Sequence, residues 1–367
     1  MKKTLTFLLA VLYLLSCPVS FSTAEEDDLL IEEVIEEVVT EKQELLDTDG
    51  SSMIVITCTG DFTIGGDSRK RKNIFEDELK EQGGDINFTM RNMRSILMED
   101  DLTLVNFEGT LTDSTYVPAN KRENQFLFSA PPSYVSMLPD NGIEAVSLEN
   151  NHVMDHGQEV YEETQRHLEE AGVVWSNSDH IGIFQVKDIQ IAMLSYYCID
   201  RYEKLWDKVP ADIAAAKDRY PLVIVSFHWG NELDYAPTGN QIRMGRLAVD
   251  AGADLVVGHH SHRMNPIEQY KGVYICYSLG NFCFSGNSRP SDMSSFVFQI
   301  RFRVKDGACT SRGFRIIPIR ISSRTGRNDF IPTPYTTGAN IDSVLTTLRD
   351  NGRKLEYAVT EYPLDWR

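Results

Sequence analysis

The stretch MIVITCTGDFTIGGD (53–67) predicts how the rest of the chain is organised. Residues 53–57 are apolar and β-branched, which is typical of a buried strand, and the run breaks at Gly60 and Asp61 into polar residues. The same order recurs in four further stretches: DLTLVNFEG (101–109), IEAVSLENNHVMDHG (143–157), PLVIVSFHWGNE (221–232) and ADLVVGHHSH (253–262). Helical patterns such as GQEVYEETQRHLEEAG (157–172) lie between them. We therefore expect an α/β protein whose polar strand ends share one edge.

The residues at these strand ends are of the types that bind metals. They combine carboxylates, imidazoles and amides: Asp61, Glu108, Asn151, His152, Asp155, His228, Glu232, His260 and His262. A single Asp after a strand is usually a turn residue, but six of the eight histidines lie in these segments. Mixed nitrogen and oxygen ligands favour Zn, Mn or Fe over Mg or Ca. The sequence predicts a site for one or two divalent ions, which could activate water and hold a phosphoryl group.

Composition and charge exclude some classes of protein. Hydrophobic residues make up 42% of the 367 residues, which is enough for a folded core. The net charge of −18 argues against nucleic-acid binding, which relies on a basic face. An anionic substrate stays open, because a metal or a local arginine can supply positive charge.

The N-terminal sequence predicts export. MKKTLTFLLAVLYLLSC (1–17) has two lysines before an apolar run, so residues 1–24 are predicted to be a signal peptide or N-terminal membrane anchor. Small residues at 22–24 allow cleavage, whereas LLSC (14–17) resembles a lipobox that would lipidate Cys17. Pro18 fits a lipobox poorly, so we favour plain export or retention by the uncleaved segment. The other five cysteines have no CxxC spacing and indicate neither a disulfide framework nor a cysteine zinc site.

Three further segments complete the predicted organisation. Residues 25–52 form an acidic amphipathic helix or linker, interpreted as a spacer rather than a docking helix for a partner. The main domain spans 53–325, and 326–367 is a C-terminal extension packed on the same domain. Alternating residues at 294–321 predict a hairpin, which we expect to finish the second sheet. Gly258 is expected to permit a tight turn before the histidines.

Six ordered motifs resemble the CapA family of bacterial capsule-synthesis proteins. They are TGDFTIGGD (59–67), VNFEGTL (105–111), LENNHVMDHG (148–157), FHWGNEL (227–233), GHHSH (258–262) and YSLGNFCF (277–284). The resemblance covers roughly residues 53–300 and implies a role in poly-γ-glutamate production or anchoring. It also implies a relation to the calcineurin-like metallophosphoesterases. The implied fold is a four-layer αββα sandwich, in which two mixed β-sheets pack face to face with helices outside.

The resemblance implies six metal ligands at positions that match the family motifs: Asp61, Glu108, Asn151, His228, His260 and His262. Glu108, together with Asn106, stands where the phosphoesterases have a bridging aspartate. Thr63 stands where they have a histidine. These two departures change the first metal position, so the implied site holds either one ion or two loosely bound ions.

The resemblance also implies roles beside the metal. His152 corresponds to the acid that protonates a leaving group, and Asp155 is expected to orient its ring. Glu232 is expected to be a partner of His228 or an added base. Residues expected to line the same edge are Asn150 and Asn281. Alternation in an extended segment would put His260 and His262 on one side, with His259 pointing the other way, either as a structural residue or as one that supports the ligands.

Three functions stay open from the sequence. The first is a metal-dependent hydrolase or transferase that acts on a cell-envelope polymer or a phosphate ester. The second is a non-catalytic, metal-stabilised envelope component that binds or helps export an anionic polymer such as poly-γ-glutamate, alongside membrane capsule-synthesis proteins. The third is a metal enzyme without phosphate chemistry. The pairing of His152 with Asp155 favours a working catalytic site over a binding role.

Overall fold

The structure of the protein is a computed structural model that describes residues 51–366, except 71, 120, 122–124, 188 and 307. The predicted signal segment, with Cys17, and residues 25–50 of the predicted acidic helix lie outside the described residues. Residues from Met53 onward belong to one unit. Within the described part of the chain, no helix is both long enough and apolar enough to span a bilayer.

Seventeen strands are present in the described part of the chain. In chain order they are β1 (Ser52–Thr63), β2 (Gly66–Asp67), β3 (Leu102–Phe107), β4 (Thr110–Leu111), β5 (Phe128–Ala130), β6 (Ala145–Ser147), β7 (Val174–Ser176), β8 (Gly182–Val186), β9 (Ile189–Tyr197), β10 (Leu222–His228), β11 (Leu255–His259), β12 (Ile267–Tyr270), β13 (Val273–Cys276), β14 (Asn281–Phe284), β15 (Ser294–Lys305), β16 (Ala308–Arg320) and β17 (Thr333–Pro334).

The helices lie mostly between these strands. In chain order the described α-helices are α1 (Ile74–Glu81), α2 (Arg94–Glu99), α3 (Met137–Asp140), α4 (Gln158–Glu170), α5 (Tyr202–Leu205), α6 (Lys208–Lys217), α7 (Gly239–Asp250) and α8 (Gly338–Gly352), with 3-10 helices at Ile86–Met90 and Pro132–Ser136. Helix α7 begins with a capping box, in which the Thr238 hydroxyl and the Gln241 side chain each accept from the other's backbone N–H.

Two mixed sheets form the framework. The first has the strand order β17-β16-β15-β1-β3-β6-β7, with β14 pairing with the end of β1. The second has the order β12-β13-β11-β10-β9-β8. Strands β1, β3, β6 and β7 run parallel in the first sheet, as do β9, β10, β11 and β13 in the second. A short third sheet, β2-β5-β4, lies near the ends of β1 and β3.

The buried side chains divide into three cores, which define four layers. One cluster joins inward-facing residues of both sheets, for example Ile56 and Phe298 from the first and Ile224 and Val257 from the second. A second cluster lies between the first sheet and the helices outside it: Phe75, Leu97, Leu138 and Leu168 against Val105 and Val146. A third lies between the second sheet and its helices: Val209, Ile213, Met244 and Ala248 against Val225 and Val256. The layers confirm the predicted αββα sandwich, and each fully buried aliphatic or Phe side chain contributes about 1.5–3 kcal/mol.

The predicted hairpin is present but joins the other sheet. Strands β15 and β16 pair in antiparallel fashion, as their alternation predicts. They extend the first sheet beside β1, so the expectation that they finish the second sheet is wrong. The physical reason is long-range pairing: Phe296 and Phe298 face the central core, and Gln299 Nε2 donates to Thr57 Oγ1 of β1 at 2.9 Å.

Two glycines permit close approach of chain segments at the strand ends. A Cβ at Gly60 would lie 2.0 Å from the carbonyl oxygen of Gly280. Gly258 lies inside β11, where a Cβ would lie 2.2 Å from the Tyr277 carbonyl and 2.4 Å from the Trp229 indole nitrogen. The expected tight turn at Gly258 is therefore absent, and the glycine is required by the packing of β11 against its neighbours.

Candidate metal centre

Both sheets bring polar side chains to one edge, as the strand-end pattern predicts. In the first sheet, Asp61 lies near the end of β1 beside Asn106 of β3. Glu108 follows β3 directly. In the second sheet, His228 ends β10 and pairs in register with His259 at the end of β11. The carboxyl ends of parallel strands from both sheets therefore meet at a single edge.

Asp61, Glu108 and His262 form the centre of this edge. One ligand atom from each of the three lies within 4.8 Å of the others. Asp61 Oδ2 lies 3.0 Å from His262 Nδ1, and Glu108 Oε1 lies 4.0 Å from His262 Nε2. Asp61 and Glu108 are almost fully buried. These three of the six predicted ligands are therefore close enough to share one cation.

The other three predicted ligands form a group beside the first. His228 Nε2 lies 2.7 Å from Asn151 Oδ1, and the His228 and His260 rings lie 4.6 Å apart. Asn106 connects the two groups, because its Nδ2 donates to Asp61 Oδ1 at 2.9 Å and lies 3.3 Å from His228 Nδ1. The structure thus places all six predicted ligands along one continuous set of contacts.

His259 lies in a place that the alternation argument did not predict. Its Nδ1 lies 3.6 Å from Asp61 Oδ1, and its side chain is fully buried. The prediction assumed an extended segment, but His260 has φ 96° and His262 has φ 53°. Backbone in the left-handed region turns the chain, so alternate side chains no longer share a side. The ring of His259 therefore faces the Asp61 carboxylate, in addition to packing against the buried strands.

Charges at the centre are strongly coupled. Burial, and then the charge of Asp61, raise the pKa of Glu108 to about 7. Burial alone would lower the pKa of His262, but the charge of Glu108 and the bond to Asp61 raise it to about 10. Burial opposes ionisation of Asp61, yet the hydrogen bond and charge of His262 lower its pKa. Without a metal, a proton on His262 supplies the positive charge that the two carboxylates require.

The remaining histidines of the edge favour the neutral form, which is the form that binds metals. Burial, followed by the charge of His260, holds the pKa of His228 well below its usual range. Burial lowers the pKa of His259 to about 4, against the charge of Asp61. Burial and His262 lower the pKa of His260 to about 4.

Several buried polar atoms at this edge have no hydrogen-bond partner in the described part of the chain. They are Glu108 Oε1 and Oε2, His259 Nδ1 and Nε2, His260 Nδ1 and Thr63 Oγ1. Buried polar atoms are normally paired, and a buried charge without a partner is costly. A cation ligated by carboxylate and imidazole would satisfy this set, and Zn, Mn or Fe suit the donors present. The residues therefore fit a divalent metal centre.

His152 and Asp155 form a pair beside the centre. His152 Nδ1 lies 2.7 Å from Asp155 Oδ2, and the opposite nitrogen, Nε2, lies 3.9 Å from Glu108 Oε1. Asp155 is held by two more donors, Lys121 Nζ at 2.7 Å and the backbone N–H of Phe128 at 2.8 Å. Lys121 was missed from the sequence, because its loop carries no motif that indicates this long-range contact. The pair points one imidazole nitrogen toward the carboxylates.

The predicted supporting residues have distinct positions. Asn150 Oδ1 accepts from the His152 backbone N–H at 3.0 Å, and its Nδ2 donates to Asn106 Oδ1 at 3.1 Å. Asn281 Oδ1 lies 2.8 Å from His262 Nδ1. Glu232 lies in an exposed turn, near enough for its charge to raise the pKa of Glu108. Asn150 therefore holds the His152 backbone and the Asn106 amide, and Asn281 holds the His262 ring, in addition to lining the edge.

Aromatic rings line one side of the centre. Phe128 lies 4.5 Å from the His152 ring, and Phe284 lies 4.9 Å from the His262 ring. Phe126, which is 43% exposed, stacks on Phe128 at 5.5 Å. These rings exclude water from one side of the imidazoles and leave an exposed apolar face at Phe126.

Comparison with known proteins identifies the family. The model of the family described as "Bacterial capsule synthesis protein PGA_cap" matches residues 55–286, more than half of the chain. The chain belongs to this family of bacterial capsule synthesis proteins. The six motifs that carried the resemblance lie inside the matched range.

Individual relatives agree with this assignment. The chain is 31% identical to the PGA biosynthesis protein CapA of Bacillus subtilis (strain 168), over 68% of this chain and 69% of that protein. It is 28% identical to the capsule biosynthesis protein CapA of Bacillus anthracis, over 68% of this chain and 64% of that protein. Among solved structures, it is similar to the calcineurin-like phosphoesterase YfkN from Bacillus subtilis, with a TM-score of 0.45, 13% identity, and coverage of 83% of this chain and 100% of that one.

Proposed function

We propose that this protein is exported and acts in the synthesis or anchoring of capsular poly-γ-glutamate, through a divalent metal centre that catalyses hydrolysis or transfer. The observation that carries the catalytic part is the His152–Asp155 pair, whose free imidazole nitrogen faces the buried carboxylate of Glu108. A purely structural metal site does not need an oriented acid–base imidazole beside it. The capsular role is supported by the names of the relatives.

The chain's own residues account for binding and proton transfer. Asp61, Glu108 and His262, with His228, His260 and Asn151 beside them, would hold the ion. A divalent ion there would activate water and neutralise charge on a phosphoryl or carbonyl oxygen. Asp155 would keep the His152 Nδ1 proton in place, so that Nε2 could give a proton to, or take one from, the reacting group. Phe128 would keep water from the face of that imidazole.

The substrate proposal follows from charge. The chain as a whole is acidic, with a net charge of −18. An anionic polymer would therefore need local cations to approach it, and the metal edge would supply one such place. The exposed ring of Phe126 and the ammonium of Lys70, which lies 4.5 Å from that ring, would add an apolar and a cationic contact beside the centre.

The proposal is tested with the purified full chain. Metal content is measured by mass spectrometry, and hydrolysis of p-nitrophenyl phosphate esters and of poly-γ-glutamate is followed with Mn²⁺ or Zn²⁺. The variants are Asp61→Asn and Glu108→Gln, with His180→Ala as a matched control. His180 is exposed, stacks on Trp175 at 4.0 Å, and is not one of the predicted site residues.

We expect wild type and His180→Ala to bind metal and turn over substrate, and both carboxylate variants to lose metal and turnover. Bound metal without turnover in wild type would contradict catalysis and favour the non-catalytic envelope component. A metal-free wild type would contradict the metal centre itself.

A further inference from the structure

A cluster of arginines lies on the first sheet, away from the metal edge. The guanidinium of Arg301 on β15 lies 3.9 Å from the centre of the Trp366 ring, and that of Arg315 on β16 lies 5.0 Å from the same ring. Arg312 is exposed and, with Trp366, lines a cavity of 480 Å³. We call Arg301, Arg312, Arg315 and Trp366 the arginine cluster.

In the part of the chain that the structure describes, the positive charges of the cluster are not paired with a carboxylate. Within the described residues, no carboxylate forms an ion pair with Arg301, Arg312 or Arg315, although Glu361 lines the same cavity. Burial and the like charge of Arg315 lower the pKa of Arg301. Elsewhere in the chain, arginines such as Arg246 and Arg327 pair with glutamates. Like charges that sit together without an anion are unfavourable, and an acidic chain offers many carboxylates that could have relieved them.

The cluster is held in a fixed arrangement. Arg315 Nε donates to Gln299 Oε1 at 2.7 Å, and Gln299 Nε2 donates to Thr57 Oγ1 at 2.9 Å. The C-terminal segment runs along β16, where the Pro363 carbonyl accepts from the Ile316 N–H at 2.8 Å, and so brings Trp366 to the arginines. These bonds leave the terminal guanidinium nitrogens of Arg315 available and lower the entropy cost of binding an anion.

The cluster is distant from the metal edge. Gln299 is level with Thr57, which lies four residues before Asp61 on β1. Arg301 lies two residues beyond Gln299, in the direction away from Ser295. The Ser295 hydroxyl donates to the Leu279 carbonyl, which lies near the metal edge. At about 3.3 Å per residue, the separation along the strands is roughly 20 Å. One extended polymer chain can span that distance, but a small substrate cannot.

We propose that the arginine cluster binds the carboxylates of a polycarboxylate chain, at a second site separate from the metal centre. The identity of the polymer, a glutamate polymer of the capsule, rests on the proposed function. Arginine forks match carboxylates in two-point contacts, and the flat face of Trp366 packs against the methylene groups between successive carboxylates. Duplex DNA and heparin are the alternative polyanions, and the test compares them with the glutamate oligomer.

The test is calorimetric binding of a γ-linked glutamate oligomer to the purified full chain, at low and moderate salt. We expect Arg301→Gln with Arg315→Gln to weaken binding by at least about tenfold, since a hydrogen bond to a charged group contributes about 1.5–3 kcal/mol. Arg243→Gln is the matched control, because Arg243 also lies over a tryptophan, 4.2 Å from the Trp206 ring, but outside the cluster. With chelator present, wild type should still bind the oligomer more tightly than the double variant, even if the metal proposal fails.

Thermal unfolding verifies that each variant is folded, and Arg312→Gln, at an exposed position, replaces the double variant if that variant is unfolded. Equal affinity of wild type and the cluster variants would overturn the proposal. Duplex DNA or heparin that binds wild type as tightly as the glutamate oligomer would also overturn it, because the cluster would then be a general polyanion surface.

Discussion

Two buried glutamates in this protein have opposite surroundings. Glu268 is fully buried, and its oxygens accept from the Arg246 guanidinium and the Tyr277 hydroxyl. Glu108 is equally buried, but neither of its oxygens has a hydrogen-bond partner in the described part of the chain. Both residues are glutamates near strand ends, yet within the described part of the chain only Glu268 is hydrogen-bonded to a cationic side chain.

The difference in surroundings indicates different roles for the two glutamates, a structural role for Glu268 and a ligand-binding role for Glu108. Arg246 also contacts Glu356, so the Glu268 group connects helix α7, strand β12 and the C-terminal segment. Such a paired charge holds elements together and leaves nothing to bind a ligand. The carboxylate of Glu108, which has no hydrogen-bond partner in the described part of the chain, lies with Asp61 and His262, and we infer that a bound cation offsets its burial cost. Each prediction below tests one side of this contrast.

The largest effect is expected beside the unpaired carboxylate. In metal-loaded protein, His152→Ala should lower the turnover of phosphate esters by about 10²–10⁴-fold, because the proton donor and acceptor is lost. Bound metal should stay unchanged. His167→Ala, at a partly buried position on α4 beside Glu163 and Glu170, is the control and should keep full turnover. Turnover in His152→Ala equal to that of wild type would remove His152 from the mechanism.

The paired glutamate should show its effect on stability. Arg246→Met leaves Glu268 buried without its cation, so the free energy of unfolding should fall by about 3–5 kcal/mol. Urea unfolding followed by circular dichroism measures the change. Arg243→Met on the same helix is the control, since no carboxylate pairs with Arg243 in the described part of the chain. A loss as small as that of the control would mean that Glu268 is not structurally important.

The unpaired glutamate should behave in the opposite way. In the presence of chelator at neutral pH, Glu108→Gln should leave the free energy of unfolding unchanged or raise it by about 1 kcal/mol, because burial disfavours the charged carboxylate. The same urea titration measures it. A loss of stability comparable to that in Arg246→Met would show that Glu108 is a structural residue like Glu268.

The smallest effect is expected for an ion pair that is not buried. Arg353 and Asp350 lie 2.7 Å apart with side chains 76% and 48% exposed. Arg353→Ala should change the free energy of unfolding by less than about 0.5 kcal/mol, because water screens exposed pairs. A loss above about 1 kcal/mol, the upper end for exposed ion pairs, would mean that burial does not explain the difference between the two glutamates.

Local pattern was sufficient to predict much of this architecture. Apolar runs that end in polar residues, as at Asp61 and His228, predicted the strands and their shared edge. The pairing of His152 with Asp155 was predicted from the family resemblance. These features depend on residues near one another in the chain, or on the general rule that parallel strands end together.

Features that depend on distant contacts could not be predicted. Lys121 reaches Asp155 from a loop 34 residues earlier in the chain. The sheet that receives β15 depends on pairing with β1, more than 200 residues away in sequence, and no local pattern encodes it. His259 faces Asp61 because His260 adopts a left-handed backbone, which strand alternation cannot indicate. Such contacts are set by tertiary packing rather than by local preference.

The central claim is that Glu108 has no hydrogen-bond partner in the described part of the chain because it is a metal ligand. The claim is tested by measuring the free energy of unfolding with and without metal. Unfolding of wild type and Glu108→Gln is compared in chelator and with Mn²⁺ or Zn²⁺ at about one hundred times the dissociation constant. We predict that metal stabilises wild type by about 2.7 kcal/mol and does not stabilise Glu108→Gln. Metal that leaves wild type unchanged, or that stabilises both proteins equally, would contradict the claim.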